Sequence, residues 1–154
     1  MKNKPILLVA GEPNSVFLEI FFKAIKNKTY KSPLILICCK KILLKQMKKS
    51  RFKRKLNILE LYKLKKYKLN NRSINLINVN CKNLSINSTN KYLTNSFELG
   101  LKLIRYKYSY KLINGPINKK SFLNKKFLGI TEYISSKYKI KRTGMLIYNK
   151  NLSV

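Results

Sequence analysis

The stretch PILLVAGEPNSVFLEIFFKAIKNKTYKSPLILICC, residues 5–39, places two short apolar runs on either side of an amphipathic segment. The first run, residues 5–10, is continuous and ends at the turn-forming GEPNS, which predicts a buried strand followed by a loop. Residues 16–27 then follow a helical period, with Val16, Ile20 and Ala24 along one side and Phe17, Phe21 and Ile25 beside them. Asn14 or Ser15 is the expected cap, and Glu19 lies in the first turns, where negative charge is favourable. The second run follows Pro33, which is tolerated at a strand start. Strand, helix, strand with no hairpin signal between them predicts a βαβ unit and hence a parallel pair.

The same alternation continues outward. KKILLKQMKKSRF, residues 40–52, reads as a short helix, NILELYKL (57–64) leans to strand, and SINLINVN (73–80) alternates as a strand. NSTNKYLTNSFELGLKLIRYKYS, residues 87–109, is the longest helical signal. Ser88 or Thr89 is its expected cap, Tyr92, Phe97, Leu101 and Ile104 approximate one face, and Gly100 marks close packing on a strand. YKLIN (110–114) reads as a strand ending at Gly115-Pro116; Ser121 to Asn124 starts a short helix, and Thr131 lies near the beginning of another. TGMLIYN (143–149) reads as a final apolar strand, and the last residues as a tight Asn-Lys-Asn turn into a returning strand. That ending predicts an N-terminal piece of something longer. The expected fold is an α/β layered domain over residues 1–154 with a largely parallel sheet, incomplete at its C-terminus. In such sheets ligands gather in loops after the carboxyl ends of strands, and GEP, NGPINKK and GITEY all fall in or beside such loops.

The length, 154 residues, suits one domain, and at that size roughly 70% of the unfolded surface is buried, enough for a core. Hydrophobic residues make up 45% of the chain, which excludes a disordered composition. No apolar run is long enough for a membrane span, and the N-terminus meets a Glu-Pro turn where a secretory signal would carry a small-residue cleavage site. Cys38, Cys39 and Cys81 form neither a disulfide framework nor a CxxC metal pattern, so a reducing cytoplasm is the expected compartment.

The net charge of +30 has two explanations that stand side by side. One is a polyanion partner, because basic surfaces release counterions from phosphate backbones, making a small basic nucleic-acid-binding protein the alternative function. The other is mutational bias, since Lys, Asn, Ile, Phe and Tyr are the residues an AT-rich genome favours. Only Arg51, Arg54, Arg72, Arg105 and Arg142 are arginine, the better bidentate reader of phosphate. The lysines are spread along the chain, and the densest cluster covers residues 48–69. Neither an Arg-rich segment nor an RNP-type aromatic motif is present. The chain has no His and no Asp; its acids are Glu12, Glu19, Glu60, Glu98 and Glu132. A metal site built from His and Asp, or a Ser-His-Asp or Cys-His arrangement, cannot be formed by this chain alone.

Three motifs in order resemble the N-terminal half of the 4-hydroxythreonine-4-phosphate dehydrogenase family. Gly11, Glu12, Pro13 and Glu19 match a Gly-Asp/Glu-Pro-Ala-Gly-Ile-Gly-Pro-Glu pattern, with Asn14 to Leu18 replacing its later glycines and second proline. Gly115, Pro116, Ile117, Asn118 and Lys119 match Thr-Ala/Gly-Pro-Ile-Asn/His-Lys; Gly129, Thr131, Glu132 and Tyr133 match Gly-His-Thr-Glu-Tyr/Phe. The resemblance implies a fold related to isocitrate and isopropylmalate dehydrogenases and a homodimer. It also implies NAD- and divalent-metal-dependent oxidation and decarboxylation of a small phosphorylated hydroxy-amino acid, in pyridoxal 5′-phosphate synthesis. It implies that Thr131 contacts substrate through its hydroxyl, and that Ile130 stands where the family has a substrate-contacting His. Lys119 reads as a point charge for an anionic substrate group, or as one more solvated lysine. Glu12 and Glu132 read as polar loop groups, with turn and helix-start stabilisation the simpler role. The family's metal-binding histidines, main phosphate contacts and most of its nicotinamide site lie in its later sequence. The isolated chain is therefore expected to bind neither NAD nor metal and to be inactive, either as a truncated member or as a non-catalytic remnant.

Overall fold

The computed structural model describes residues 3–123, 126–140, 143–144, 146, 148–149 and 152–153. The chain divides into two compact units, Met1–Ile117 and Asn118–Val154.

The first unit is built on a five-stranded, all-parallel sheet. Its strands are β1 (Ile6–Val9), β2 (Leu34–Cys38), β3 (Leu56–Ile58), β4 (Ile74–Asn78) and β5 (Lys111–Asn114), in spatial order β3-β4-β2-β1-β5. The helices are α1 (Phe17–Asn27), α2 (Lys40–Lys49) and α3 (Ile86–Arg105), with a 3₁₀ segment over Leu61–Lys66. The expected α/β class with a parallel sheet is what the structure contains.

Strand alternation sorts the apolar residues onto two faces. Leu8, Leu36, Cys38, Ile74 and Leu76 point to one side, where Leu18, Phe21, Phe22 and Ile25 of α1 and Leu43 and Met47 of α2 cover them. On the other side a Cβ added at Gly100 of α3 would meet Leu112 Cδ1 at 2.8 Å, Val9 Cγ2 at 3.4 Å and Ile37 Cδ1 at 3.5 Å. Gly100 therefore lets α3 settle directly on the centre of the sheet, as its place in the sequence predicts. A sheet covered on both faces explains why β1 and β2 read as continuous apolar runs.

Several local expectations are corrected. The cap of α1 is Val16, which makes no side-chain cap bond, rather than Asn14 or Ser15. Glu12–Ser15 closes as a turn, Ser15 N–H donating to Glu12 O at 3.1 Å, with Pro13 at the second position that proline favours. Ser15 closes that turn and still serves the helix start, its Oγ accepting from the N–H of Phe17, the first helical residue, at 3.4 Å. Val16 and Ile20 are exposed, so the buried side of α1 is the one bearing Leu18, Phe21, Phe22 and Ile25. The cap of α3 is Ser85, which accepts from Ser88 N–H at 3.3 Å, in place of Ser88 or Thr89. The stretch 57–64 is strand only to Ile58 and turns into the 3₁₀ segment at Leu61.

The second unit contains α4 (Lys119–Phe122), α5 (Ile130–Tyr138) and an antiparallel pair, β6 (Tyr148–Asn149) with β7 (Leu152–Ser153). Tyr133 is buried, its ring 5.2 Å from Phe122 and 5.6 Å from Phe127. The expected helix over Ser121 to Asn124 is met by α4, shifted two residues earlier, with Asn124 outside the described residues. In the expected final strand, Met145 and Ile147 lie outside them, as do Lys150 and Asn151 of the expected turn.

Candidate functional site

The strand order puts one topological switch point in the sheet. From β1 the chain moves through β2 towards β3 and β4; after α3 it returns to the opposite side of β1 as β5. Loops leaving the carboxyl ends of β1 and β5 therefore face each other, which is where open α/β sheets place their ligands. These loops are Gly11-Glu12-Pro13 and Gly115-Pro116-Ile117, the first two sequence motifs.

The two loops are clasped by backbone contacts. Gly115 N–H donates to Val9 O at 2.7 Å, and Glu12 N–H donates to Pro116 O at 2.8 Å, extending the β1–β5 ladder past both strands. Gly11 sits at φ +75, in the left-handed region that side chains disfavour. A Cβ on Gly11 would run into the Pro116 carbonyl, and one on Gly115 into the Ala10 carbonyl. Both motif glycines are thus required by close backbone approach. Gly11, Pro13 and Gly115 are buried, Glu12 is half-buried and Pro116 is exposed. Asn114 donates its side-chain N–H to Gly115 O at 3.1 Å and stiffens the second loop.

The remaining motif residues belong to the second unit. Asn118 caps α4, its Oδ1 accepting from Ser121 N–H at 3.3 Å, and Lys119 is exposed in the first turn. GITEY follows no strand; it opens α5, with Gly129 as the N-cap. Ile130 and Thr131 are half-buried at the first two helical positions, and Thr131 O accepts from Ser135 Oγ at 2.7 Å. Glu132 is exposed, and its Oε2 lies 3.0 Å from where a Cβ on Gly129 would be. A carboxylate folded over the start of its own helix is stabilised by the helix dipole.

Cys38 and Cys39 are core groups, whereas Cys81 is half-buried. Burial pushes the Cys38 thiol up to about 12, and burial also holds the neighbouring Tyr92 phenol well above its ordinary value. A thiol so suppressed is a poor nucleophile and a poor metal ligand. Among the described residues, no three His, Cys, Asp or Glu side chains gather where they could hold a metal ion. This donor set does not fit a divalent metal. The turn after β1 does not fit a dinucleotide pyrophosphate either. That role needs successive glycines opening the helix, whereas Asn14 to Leu18 all carry side chains and Val16 stands at the N-cap. Among the described residues, no helix is long and apolar enough to cross a membrane.

What sequence reasoning missed is the role of Asn71 and Asn75. Asn71 Oδ1 accepts from Leu34 N–H at 2.8 Å, and its Nδ2 donates to Tyr30 O at 3.0 Å and Ser32 O at 2.9 Å. Asn75, buried within β4, donates to Leu34 O and Asn70 O and accepts from Asn57 Nδ2. Together they tie the segments entering β2 and β4. In a chain so rich in asparagine, these two carry no distinguishing local signal.

No protein-family model matches the sequence, and no curated protein matches it. The fold does match solved structures. One is a 4-hydroxythreonine-4-phosphate dehydrogenase from Burkholderia phymatum, with TM-score 0.82 and 15% identity over 98% of this chain and 48% of that one. Another is a 4-hydroxythreonine-4-phosphate dehydrogenase from Klebsiella pneumoniae, with TM-score 0.80 and 16% identity over 98% of this chain and 48% of that one. The chain therefore shares the fold of these dehydrogenases and spans about half their length.

Proposed function

We propose that this chain is a relative of the 4-hydroxythreonine-4-phosphate dehydrogenases, corresponding to the N-terminal part of one α/β dehydrogenase-type domain. In this reading it keeps substrate-side loops and lacks the means for turnover. The observation that supports it best is the glycine clasp at the switch point, where two of the three family-like motifs meet in a fold those enzymes share. Thr131 offers its hydroxyl to a substrate oxygen, and Lys119 offers a point charge to an anionic group. Ile130 has no polar atom to replace the His expected there. Without His, Asp or a Gly-rich phosphate turn, metal and NAD would have to be held by groups outside the described residues. Pairing into a homodimer belongs to the same reading.

The test uses the purified chain with 4-phosphohydroxy-threonine. The expected result is a saturable, ligand-dependent thermal shift that Thr131→Ala and Lys119→Ala each diminish, with no NADH formed from added NAD. Absence of any shift would remove the substrate reading, and NADH production by the chain alone would overturn the claim that it cannot turn over.

A further inference from the structure

The largest concentration of arginine lies at the opposite end of the sheet from the motif loops. Two adjoining cavities open there, of about 380 Å³ and about 580 Å³, and they share Lys26 and Arg54 as lining residues. The first is lined also by Lys23, Arg51 and Lys53, the second by Lys28, Tyr30 and Arg72. Three of the chain's five arginines therefore frame one continuous groove at the amino ends of β2, β3 and β4. Its one acidic lining residue, Glu19, is bridged to Lys49 at 3.8 Å.

Helix dipoles account for part of this charge but not for the arginines in the loops. Lys26 lies in the last turn of α1 and Arg51 just beyond α2, where cations stabilise the negative helix end. Arg54 and Arg72 are not at helix ends. Arg54 is held in place, donating from Nη1 to Asn71 O at 3.3 Å with its guanidinium 5.7 Å from the Phe52 ring centroid. Phe52 is itself stacked on Phe22 at 4.6 Å and 9°. Arg72 follows an Asx turn in which its N–H donates to Asn70 Oδ1 at 2.9 Å. The groove floor is fixed by the Asn71 bonds to Tyr30 and Ser32, so its cations are presented on a framework ordered in advance.

Arg51 adds a separate observation. It has φ +48 and completes a Schellman motif, its N–H donating to Lys48 O at 3.2 Å and Phe52 N–H donating to Met47 O at 2.9 Å. Glycine is the residue preferred at that position. Lys107 and Lys139 are also left-handed, so the habit is general in this chain; what distinguishes Arg51 is a fork-shaped cation aimed at a groove holding two more.

We propose that this groove binds a chain of consecutive phosphate groups, through charge and guanidinium forks and without reading bases. The shared chemistry is found in inorganic polyphosphate and in the backbone of single-stranded nucleic acid. A seven-cation groove spanning two cavities fits several phosphates better than one. It lies away from the switch point, so its failure would leave the proposed dehydrogenase relationship untouched.

The experiment measures binding of tripolyphosphate and, separately, of an oligouridylate of about ten nucleotides, a length suited to one such groove. The proteins are the full chain, Arg54→Gln/Arg72→Gln, and the charge-matched control Lys82→Gln/Lys91→Gln. The arginine double variant is expected to weaken binding roughly tenfold or more and to flatten the salt dependence, with the control changing it less than about twofold. Arg51→Gly is expected to weaken binding while leaving the thermal midpoint unchanged or raised, because glycine suits the left-handed position. Binding of tripolyphosphate alone would identify the source as small polyphosphates, and of the oligonucleotide alone as nucleic acid. Equal losses in the arginine variant and the control would overturn the proposal, as would failure of both probes to bind.

Discussion

The two ends of the sheet solve different problems with different atoms. At the carboxyl end, β1 and β5 continue into loops held by backbone contacts, and the decisive residues are two glycines without side chains. At the amino end, segments entering β2 and β4 are held by asparagine side chains, and arginines and lysines fill the surface. The first end depends on what is absent from Cα, so almost any substitution disturbs it. The second depends on side chains that can be removed singly, so its stability and its charge can be separated.

The strongest challenge to that contrast is Gly11→Ala or Gly115→Ala. Each puts a Cβ into a backbone carbonyl, and Gly11 also has to leave a left-handed conformation. Either is expected to cost roughly 3 kcal/mol or more, read as a lower urea midpoint. Wild-type stability in both would mean that the clasp is not tight. On the amino side, Asn71→Ala removes one accepted and two donated hydrogen bonds and leaves the Leu34 N–H without its acceptor. A loss of about 2 kcal/mol is expected, smaller than at the clasp because water can reach part of that loop. A loss equal to that at Gly11 would erase the distinction between the ends.

A pH titration sharpens the comparison from within the core. Cys38 and Tyr92, both buried, have thiol and phenol values raised by burial. The unfolded chain ionises first as pH rises, so the stability they confer is complete below about pH 9 and declines above it. The Cys38 contribution falls by about 1.4 kcal/mol per pH unit between about 9 and about 12. Cys38→Ala should remove part of that alkaline slope; an unchanged slope would assign it to other groups. The smallest effect is expected for Gly100→Ala, about 1 kcal/mol, because the atom met first is the end of the Leu112 side chain, which can turn aside. Measured beside Gly11→Ala, it separates a contact with a flexible side chain from a contact with backbone.

Much of the fold was legible because it depends on periodicity. The apolar runs at residues 5–10 and 34–38, the amphipathic α1 and the long α3 are each stated by their own residues, and Gly100 signalled the close helix–sheet approach before the sheet was known. The caps were less legible. Several Asn, Ser and Thr residues compete near each helix start, and the turn at Glu12–Ser15 moved the α1 cap position to Val16, one residue beyond Ser15. At the candidate site, GEP and NGPINKK were each legible as motifs, and their place after strands β1 and β5 followed from the strand pattern; that the two loops meet did not. In the third motif Thr131 was expected near the beginning of a helix and lies there, in the first turn of α5, but the motif does not follow a strand end as the other two do.

By itself, the sequence determined the α/β class, the parallel connections and the absence of His and Asp, because those rest on local pattern or on composition. Tertiary structure alone decided that β5 returns beside β1, bringing Gly11 against Pro116 and Gly115 against Ala10. It alone gathered Arg51, Arg54 and Arg72 around one groove, and gave Asn71 partners some forty positions away. Strand order is set by how whole helices and strands pack, and no short stretch of residues carries that sum.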